Sequence, residues 1–244
     1  MGEHSTIPAR WHALHLAKRG NRPEEIEDAL AASDALGRFA VADGVTDAIF
    51  SAVWARLLVD KFIAAPPTES EATSQWLCAL REAWRQDVHQ RSLPWYAEHK
   101  LATGAAATFA GLQIFPDNTW AALTVGDACL FHLRDAKLLR AFPINQSAAF
   151  NNRPIVLRSN PDTVEPSFER ASGQWQPADQ FALATDALAQ WLLAEHERGG
   201  SIQASVQHLI AISKDQASVE SDLNLLRDSH RLRNDDVVLL AVDV

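Results

Sequence analysis

Four apolar runs in this chain end or begin at aspartate. Phe39-Ala40-Val41-Ala42 leads into Asp43-Gly44, Leu123-Thr124-Val125 into Gly126-Asp127, and Phe181-Ala182-Leu183-Ala184-Thr185 into Asp186. Asp235-Asp236 opens the run Val237-Val238-Leu239-Leu240-Ala241-Val242. Short apolar runs of this kind read as buried strands. Further strands are expected at 9–18, 36–42, 105–115, 119–126, 128–134 and 137–142, with turns at Pro116-Asp117-Asn118 and Asp135-Ala136. Their close spacing predicts antiparallel hairpins. Between Ala48 and Ala64 the positions Ile49, Val53, Trp54, Leu57, Leu58 and Phe62 recur at helical spacing, and Pro66-Pro67 closes the helix. A second helix is expected over 69–92, with Trp76, Leu77, Leu80, Trp84 and Val88 on one face. Helical patterns return at 187–198, stopped by Gly199-Gly200, and at 201–213 and 217–229. Residues 19–28 and 143–178 read as irregular. No composition shift, repeat or low-complexity tract divides residues 1–244, so one α+β domain with helices packed on antiparallel sheets is expected.

Composition narrows the partners. The chain has 244 residues, 47% hydrophobic and 22% charged, which suits a soluble protein with a core. Its net charge of −9 argues against nucleic acid as a partner, because phosphate backbones need a basic face. Phosphorylated substrates stay open, since bound metal reverses the local sign. Cys78 and Cys129 lie in apolar surroundings without a CxxC spacing, and buried free thiols in a reducing compartment are expected. Met1-Gly2-Glu3-His4 shows no secretory pattern, and the apolar window from Phe39 to Val59 carries Asp43, Asp47 and Arg56, too charged to span a bilayer. A cytoplasmic monomer, bound neither to nucleic acid nor to membrane, is the expectation.

Carboxylates at the mouths of buried strands are held rigidly yet can face water. If they converge they repel one another unless a cation joins them, and clustered carboxylate oxygens suit hard ions such as Mg²⁺ and Mn²⁺. Taken singly, each has a structural explanation. Asp186 precedes a helix and could cap it. Asp43-Gly44 is a common turn pair, and Asp235-Asp236 could be a solvated strand edge. His12 and His15 would point to opposite faces of a strand, and neither HExxH, GxSxG nor GxGxxG occurs. The eight tryptophans read as core packing.

In order along the chain, these residues resemble the type 2C (PPM) metal-dependent protein serine/threonine phosphatases in their compact bacterial form. Glu27-Asp28-Ala29 is similar to the family's N-terminal acidic motif, and Val41-Ala42-Asp43-Gly44-Val45 to its first metal motif. Gly104-Ala105-Ala106-Ala107-Thr108, Val125-Gly126-Asp127-Ala128, Arg134-Asp135-Ala136-Lys137-Leu138, Leu183-Ala184-Thr185-Asp186-Ala187-Leu188 and Asn234-Asp235-Asp236-Val237-Val238 follow its later motifs. The resemblance covers nearly the whole chain. It departs at Thr46-Asp47, Ala128-Cys129 and Ala187, where the family commonly has Gly-Gly, Ser-Arg and Gly. Ile26 replaces the usual Asn, and Arg22 stands one residue further from Glu27 than the family's phosphate-binding Arg.

The resemblance implies a four-layer α-β-β-α sandwich, two antiparallel sheets flanked by helices. It implies two Mn²⁺ or Mg²⁺ ions bridged by Asp43, one also held by the Gly44 carbonyl and the other by Asp186 and Asp235. Glu27 and Asp28 would act through coordinated water, and Asp127 with Asp186 would hold a third ion. A metal-bridging water would attack the phosphorus of phosphoserine or phosphothreonine while Arg22 or Arg19 grips the phosphate oxygens. Asp43, Asp186, Asp235 and Arg22 are thus the implied catalytic residues. The partners implied are a phosphorylated protein and a cognate Ser/Thr kinase, with the segment 143–178 as a flap beside the site. Two other readings stand beside this one: a non-catalytic phosphoprotein-binding or scaffold domain that kept the fold, motivated by the departures, and a phosphatase for a small phosphorylated metabolite.

Overall fold

Strand alternation sorts the apolar residues of this chain into three cores, and the layers follow from that sorting. On the last strand Val237, Leu239 and Ala241 face one core, while Val238, Leu240 and Val242 face another. Both faces of that strand are covered, which explains a run of six apolar residues where a half-exposed strand would alternate with polar ones. The computed structural model describes residues 9–46, 48–68, 71–90, 101, 103–151, 153–161 and 164–244. Met1–His4, Asp47 and the outer ends of the helix expected over 69–92 lie outside them.

The first sheet has the order β1 (Arg10–Leu16), β11 (Val237–Asp243), β10 (Gln180–Ala184), β6 (Cys129–Arg134) and β7 (Lys137–Phe142). The second runs β2 (Ala29–Ser33), β3 (Arg38–Gly44), β4 (Ala106–Ile114), β5 (Thr119–Val125) and β9 (Glu169–Gln174), and the two-residue β8 (Leu157–Arg158) also pairs with β4. All pairings are antiparallel. Outside the second sheet lie α1 (Ser51–Ala64) and α2 (Thr73–His89), packed through Trp54, Leu58, Phe62, Trp76 and Trp84. Outside the first lie α3 (Asp186–Glu197), α4 (Ile202–Ile212) and α5 (Gln216–Asp228), packed through Leu188, Leu192, Val206, Leu209 and Leu223. Phe39, Leu112, Leu130, Phe181 and Leu240 fill the space between the sheets. This is the four-layer sandwich.

Three local expectations are corrected. β5 and β6 do not form a hairpin, despite their close spacing. β5 belongs to one sheet and β6 to the other, so Gly126-Asp127-Ala128 is a corner between layers. Gly126 makes the corner with φ +89°, and a Cβ there would lie 2.5 Å from the Ile155 carbonyl oxygen. The segment 143–178 contains β8 and β9, both sheet members. It is pinned to the helical layer by Arg81, whose guanidinium meets Glu165 at 2.6 Å, and by Trp54, which donates to the Leu157 carbonyl at 2.8 Å. Cys78 is exposed on α2, whereas Cys129 is buried. No helix among the described residues is long and apolar enough to cross a membrane.

Candidate metal centre

The four aspartate-bearing junctions meet at one end of the sandwich because the strands are antiparallel. β10 ends where β11 and β6 begin, with Ala184 opposite Leu239 and Cys129. β3 and β5 end where β4 begins, with Gly44 opposite Ala107 and Val125 opposite Phe109. On β3, Phe39 and Val41 face the space between the sheets, and Asp43 follows on the same side by the period of two. Gly44 ends that strand, and a Cβ there would sit 2.6 Å from the Glu27 carbonyl oxygen. A side chain at 44 would push away the loop that carries Glu27 and Asp28.

Oxygens of Asp43, Asp127 and Asp186 all lie within 4.8 Å of one another. Asp186 opens α3 but does not cap it. Thr185 holds the cap position, and Asp186 sits in the first turn with its carboxylate on Arg233. Asp28 is buried, with Asp43 and Thr185 beside its carboxyl group. Thr185 is tied in turn to β11, its hydroxyl accepting from the Val238 N–H at 3.0 Å. Asp235 is half-buried and interacts electrostatically with Asp186, Lys18 and Arg233. Glu27 accepts from the Ser51 hydroxyl at 2.5 Å and stands 3.7 Å from the Lys18 ammonium.

The electrostatics are those of too many carboxylates and too few cations. Burial, then the charges of Asp28, Asp186, Asp127 and Asp235, hold Asp43 well above the ordinary carboxylate range. Burial raises Asp28 in the same way, with Asp236 and Asp186 adding to it. Asp127 is pushed up to about 7, by burial first and then by Asp186. Burial and Asp186 also raise Asp235. One oxygen each of Asp28 and Asp127 is buried without a hydrogen-bond partner. A buried acceptor of this kind is costly unless something donates to it or coordinates it. The donors are all hard oxygens, so the set fits divalent cations of the Mg²⁺ and Mn²⁺ class.

Two basic residues expected at the phosphate differ in their surroundings. Arg19 is turned onto α5, where it bonds Asn224 at 3.1 Å and Asp228 at 2.8 Å. Arg22 is exposed; its backbone N–H donates to the Glu25 carboxylate at 2.7 Å and its carbonyl accepts from the Glu25 N–H at 3.0 Å. Sequence reasoning missed Arg233, the cation that touches the cluster. Asp236 has a structural task, since its oxygens accept from the N–H groups of Lys18 and Glu27, both at 2.8 Å. It fastens the N-terminal loop to β11.

The family model for protein phosphatase 2C matches residues 21–225. The chain belongs to the protein phosphatase 2C family. Among solved structures, the Mycobacterium tuberculosis serine/threonine phosphatase PstP/Ppp is similar at 16% identity and TM-score 0.61, over 97% of this chain and 98% of that one. The catalytic domain of PstP crystallised with two manganese ions is similar at 17% identity and TM-score 0.61, over 96% and 97% of the two chains. PppA, described as a regulatory component of the type VI secretion system in Pseudomonas aeruginosa, shares 21% identity and TM-score 0.58, over 96% and 97%. At these identities the likeness is one of fold. No curated protein sequence matches this chain. The 2C architecture accounts for the convergence of strand ends, since two facing antiparallel sheets bring their junctions to a common mouth.

Proposed function

We propose that this chain is a metal-dependent phosphoprotein phosphatase that hydrolyses phosphoserine and phosphothreonine. The observation that carries the reading is the convergence of Asp43, Asp127 and Asp186 with buried, partnerless oxygens at Asp28 and Asp127. In this reading Asp43, the Gly44 carbonyl, Asp186 and Asp235 would hold two ions, and Asp127 with Asp186 would hold a third. Bound there, Mn²⁺ or Mg²⁺ would neutralise phosphate charge and acidify the attacking water. The chain's own residues do the rest. Asp28 lies between Asp43 and Thr185, and Glu27 is held by Ser51 and Lys18. Arg22, exposed and uncommitted, is the fork for the non-bridging phosphate oxygens, whereas Arg19 is spent on α5. PstP with two manganese ions supports the ion count, and PppA supports a regulatory setting for such a fold.

The test is hydrolysis of an aryl phosphate after chelator treatment. Activity should return with Mn²⁺ and be lost in Asp43→Asn. A second reading, a phosphoprotein-binding module without turnover, is favoured by one observation, the Arg233 guanidinium lying on Asp186. Phosphopeptide binding at saturating Mn²⁺ with no release of phosphate would select it.

A further inference from the structure

Beside the carboxylates lies a cavity of about 590 Å³ whose lining carries Arg19, Arg198, Arg227, Arg231, Arg233 and His230, with no Asp, Glu or Lys. On a chain with a net charge of −9 this is a local reversal of sign. Its walls are the loop after β1, the end of α3 and the turn between α5 and β11. Arginine rather than lysine is the side chain suited to gripping a planar or tetrahedral oxyanion with two N–H groups at once.

The bonds these arginines already make leave positive charge over. Arg19 pairs with Asp228, Arg233 with Asp186, and Arg198 and Arg231 share the single carboxylate of Glu195. Arg227 is buried and bonded to neutral groups, the carbonyls of Asp235 at 2.8 Å and Ala17 at 3.4 Å and the Asn224 side chain at 3.3 Å. Its Nε has no partner. In direct ion pairs five arginines thus meet three carboxylates, while Asp235 and Asp236 act on Arg227 only through space. A buried guanidinium with no carboxylate of its own is stabilised by an external anion. Arg198 and Arg231 have about half their side-chain surface exposed, so they can turn from Glu195 toward a ligand. Arg233 joins the two regions, since it lines the cavity and touches Asp186 of the carboxylate cluster.

We propose that this cavity is a subsite for a second anionic group of the substrate. Resting on the phosphatase reading above, it makes the preferred substrate a peptide whose phosphoserine or phosphothreonine is accompanied, a few residues away, by another phosphoryl group or an acidic side chain. Both sources share the chemistry of an oxyanion gripped by arginine forks. The cavity is a half-open pocket and not a stripe, which suits one group on a peptide better than the backbone of a nucleic acid.

The experiment uses the full chain with Mn²⁺ and fluorescent peptides bearing non-hydrolysable phosphonate analogues of phosphoserine. Fluorescence anisotropy then reads affinity without turnover. One peptide carries a single phosphonate. The others add a second phosphonate, an Asp or an Ala at positions stepped along the chain. At the favoured spacing the second phosphonate should tighten binding about tenfold and Asp about threefold, with Ala giving no gain. The ratio of affinities for doubly and singly modified peptides should fall toward one in Arg198→Glu/Arg231→Glu. Arg231→Gln should lower it partway, which keeps the test available if the double variant folds poorly. Equal affinity for the two peptides at every spacing, or a ratio unmoved by either variant, overturns the proposal. So does a single-stranded oligonucleotide that competes better than the doubly modified peptide. If aryl phosphatase activity is absent while the preference is present, the hydrolytic reading fails and the subsite stands. If activity is present and the preference absent, the subsite alone fails.

Discussion

The two ends of β10 carry aspartates that have met opposite fates. Asp179, just before the strand, accepts from Arg134 Nε at 2.5 Å and Nη2 at 2.7 Å, from His132 Nε2 at 2.7 Å and from the Gln176 N–H at 2.9 Å. Burial alone would raise its carboxyl, yet the hydrogen bonds from Arg134 and His132 win and hold it below the ordinary range. His132 is itself stacked on Phe181, with ring centroids 4.4 Å apart. Seven residues further on, past the other end of the strand, Asp186 joins a cluster in which Asp28, Asp43, Asp127 and Asp235 are all raised. One end spends its donors on its carboxylate. The other sets little more than the Arg233 guanidinium, on Asp186, against several carboxylates. The same fold thus shows what a buried acid looks like when the protein completes it and when completion is left to something bound.

Substitution should separate the two ends. The largest effect is expected on activity: Asp43→Asn should lower Mn²⁺-dependent hydrolysis of an aryl phosphate by about a thousandfold, the scale of removing a group that stabilises transition-state charge. Asp179→Ala should leave activity per folded molecule within about twofold. Initial rates at saturating Mn²⁺ check both, and similar losses in the two variants would erase the contrast. Next in size, Asp179→Ala should lower the unfolding free energy by about 3 kcal/mol, because it leaves Arg134 and His132 without their shared partner. Urea titration measures it.

Metal should act at one end alone. Free Mn²⁺ at about one hundred times its Kd should stabilise the chelator-stripped protein by about 2.7 kcal/mol. Thermal melts should show the gain in Asp179→Ala and its loss in Asp43→Asn. The smallest effect is the pH dependence of the stripped protein. Folded Asp127 keeps a proton up to about pH 7 that the unfolded chain gives up near pH 4. The folded state therefore binds more protons in that window, and stability falls as pH rises through it, by up to about 1.4 kcal/mol per pH unit from this group. Asp127→Asn should flatten the slope. Urea midpoints between pH 5 and pH 8, with and without Mn²⁺, test the sign.

Much of the fold was legible because its strands and helices carry strong local patterns. The face Trp76, Leu77, Leu80, Trp84 and Val88 is buried as its spacing predicts. β2 escaped notice, since Ala29–Ser33 is short and mostly half-buried and has no run or alternation to betray it. β8 and β9 were hidden in a polar segment, because edge strands need few apolar residues. Asp28, Asp43, Asp127, Asp186 and Asp235 could be named from their places at strand ends and their motif order. Arg233 could not, because nothing local marks an arginine in a turn as the partner of an aspartate 47 residues away.

By itself the sequence determined the strongly patterned elements, their order and the identity of the carboxylates, because period-two and helical patterning and motif spacing are properties of neighbouring residues. Tertiary structure decided which junctions share a mouth and which acids receive donors. It alone turned β5 and β6 into opposite layers, set Asp127 between them, gave Asp179 an arginine and a histidine, and gathered five arginines beside the cluster. Those outcomes depend on Coulomb and hydrogen-bond energies between residues far apart in the chain, and only packing fixes their distances.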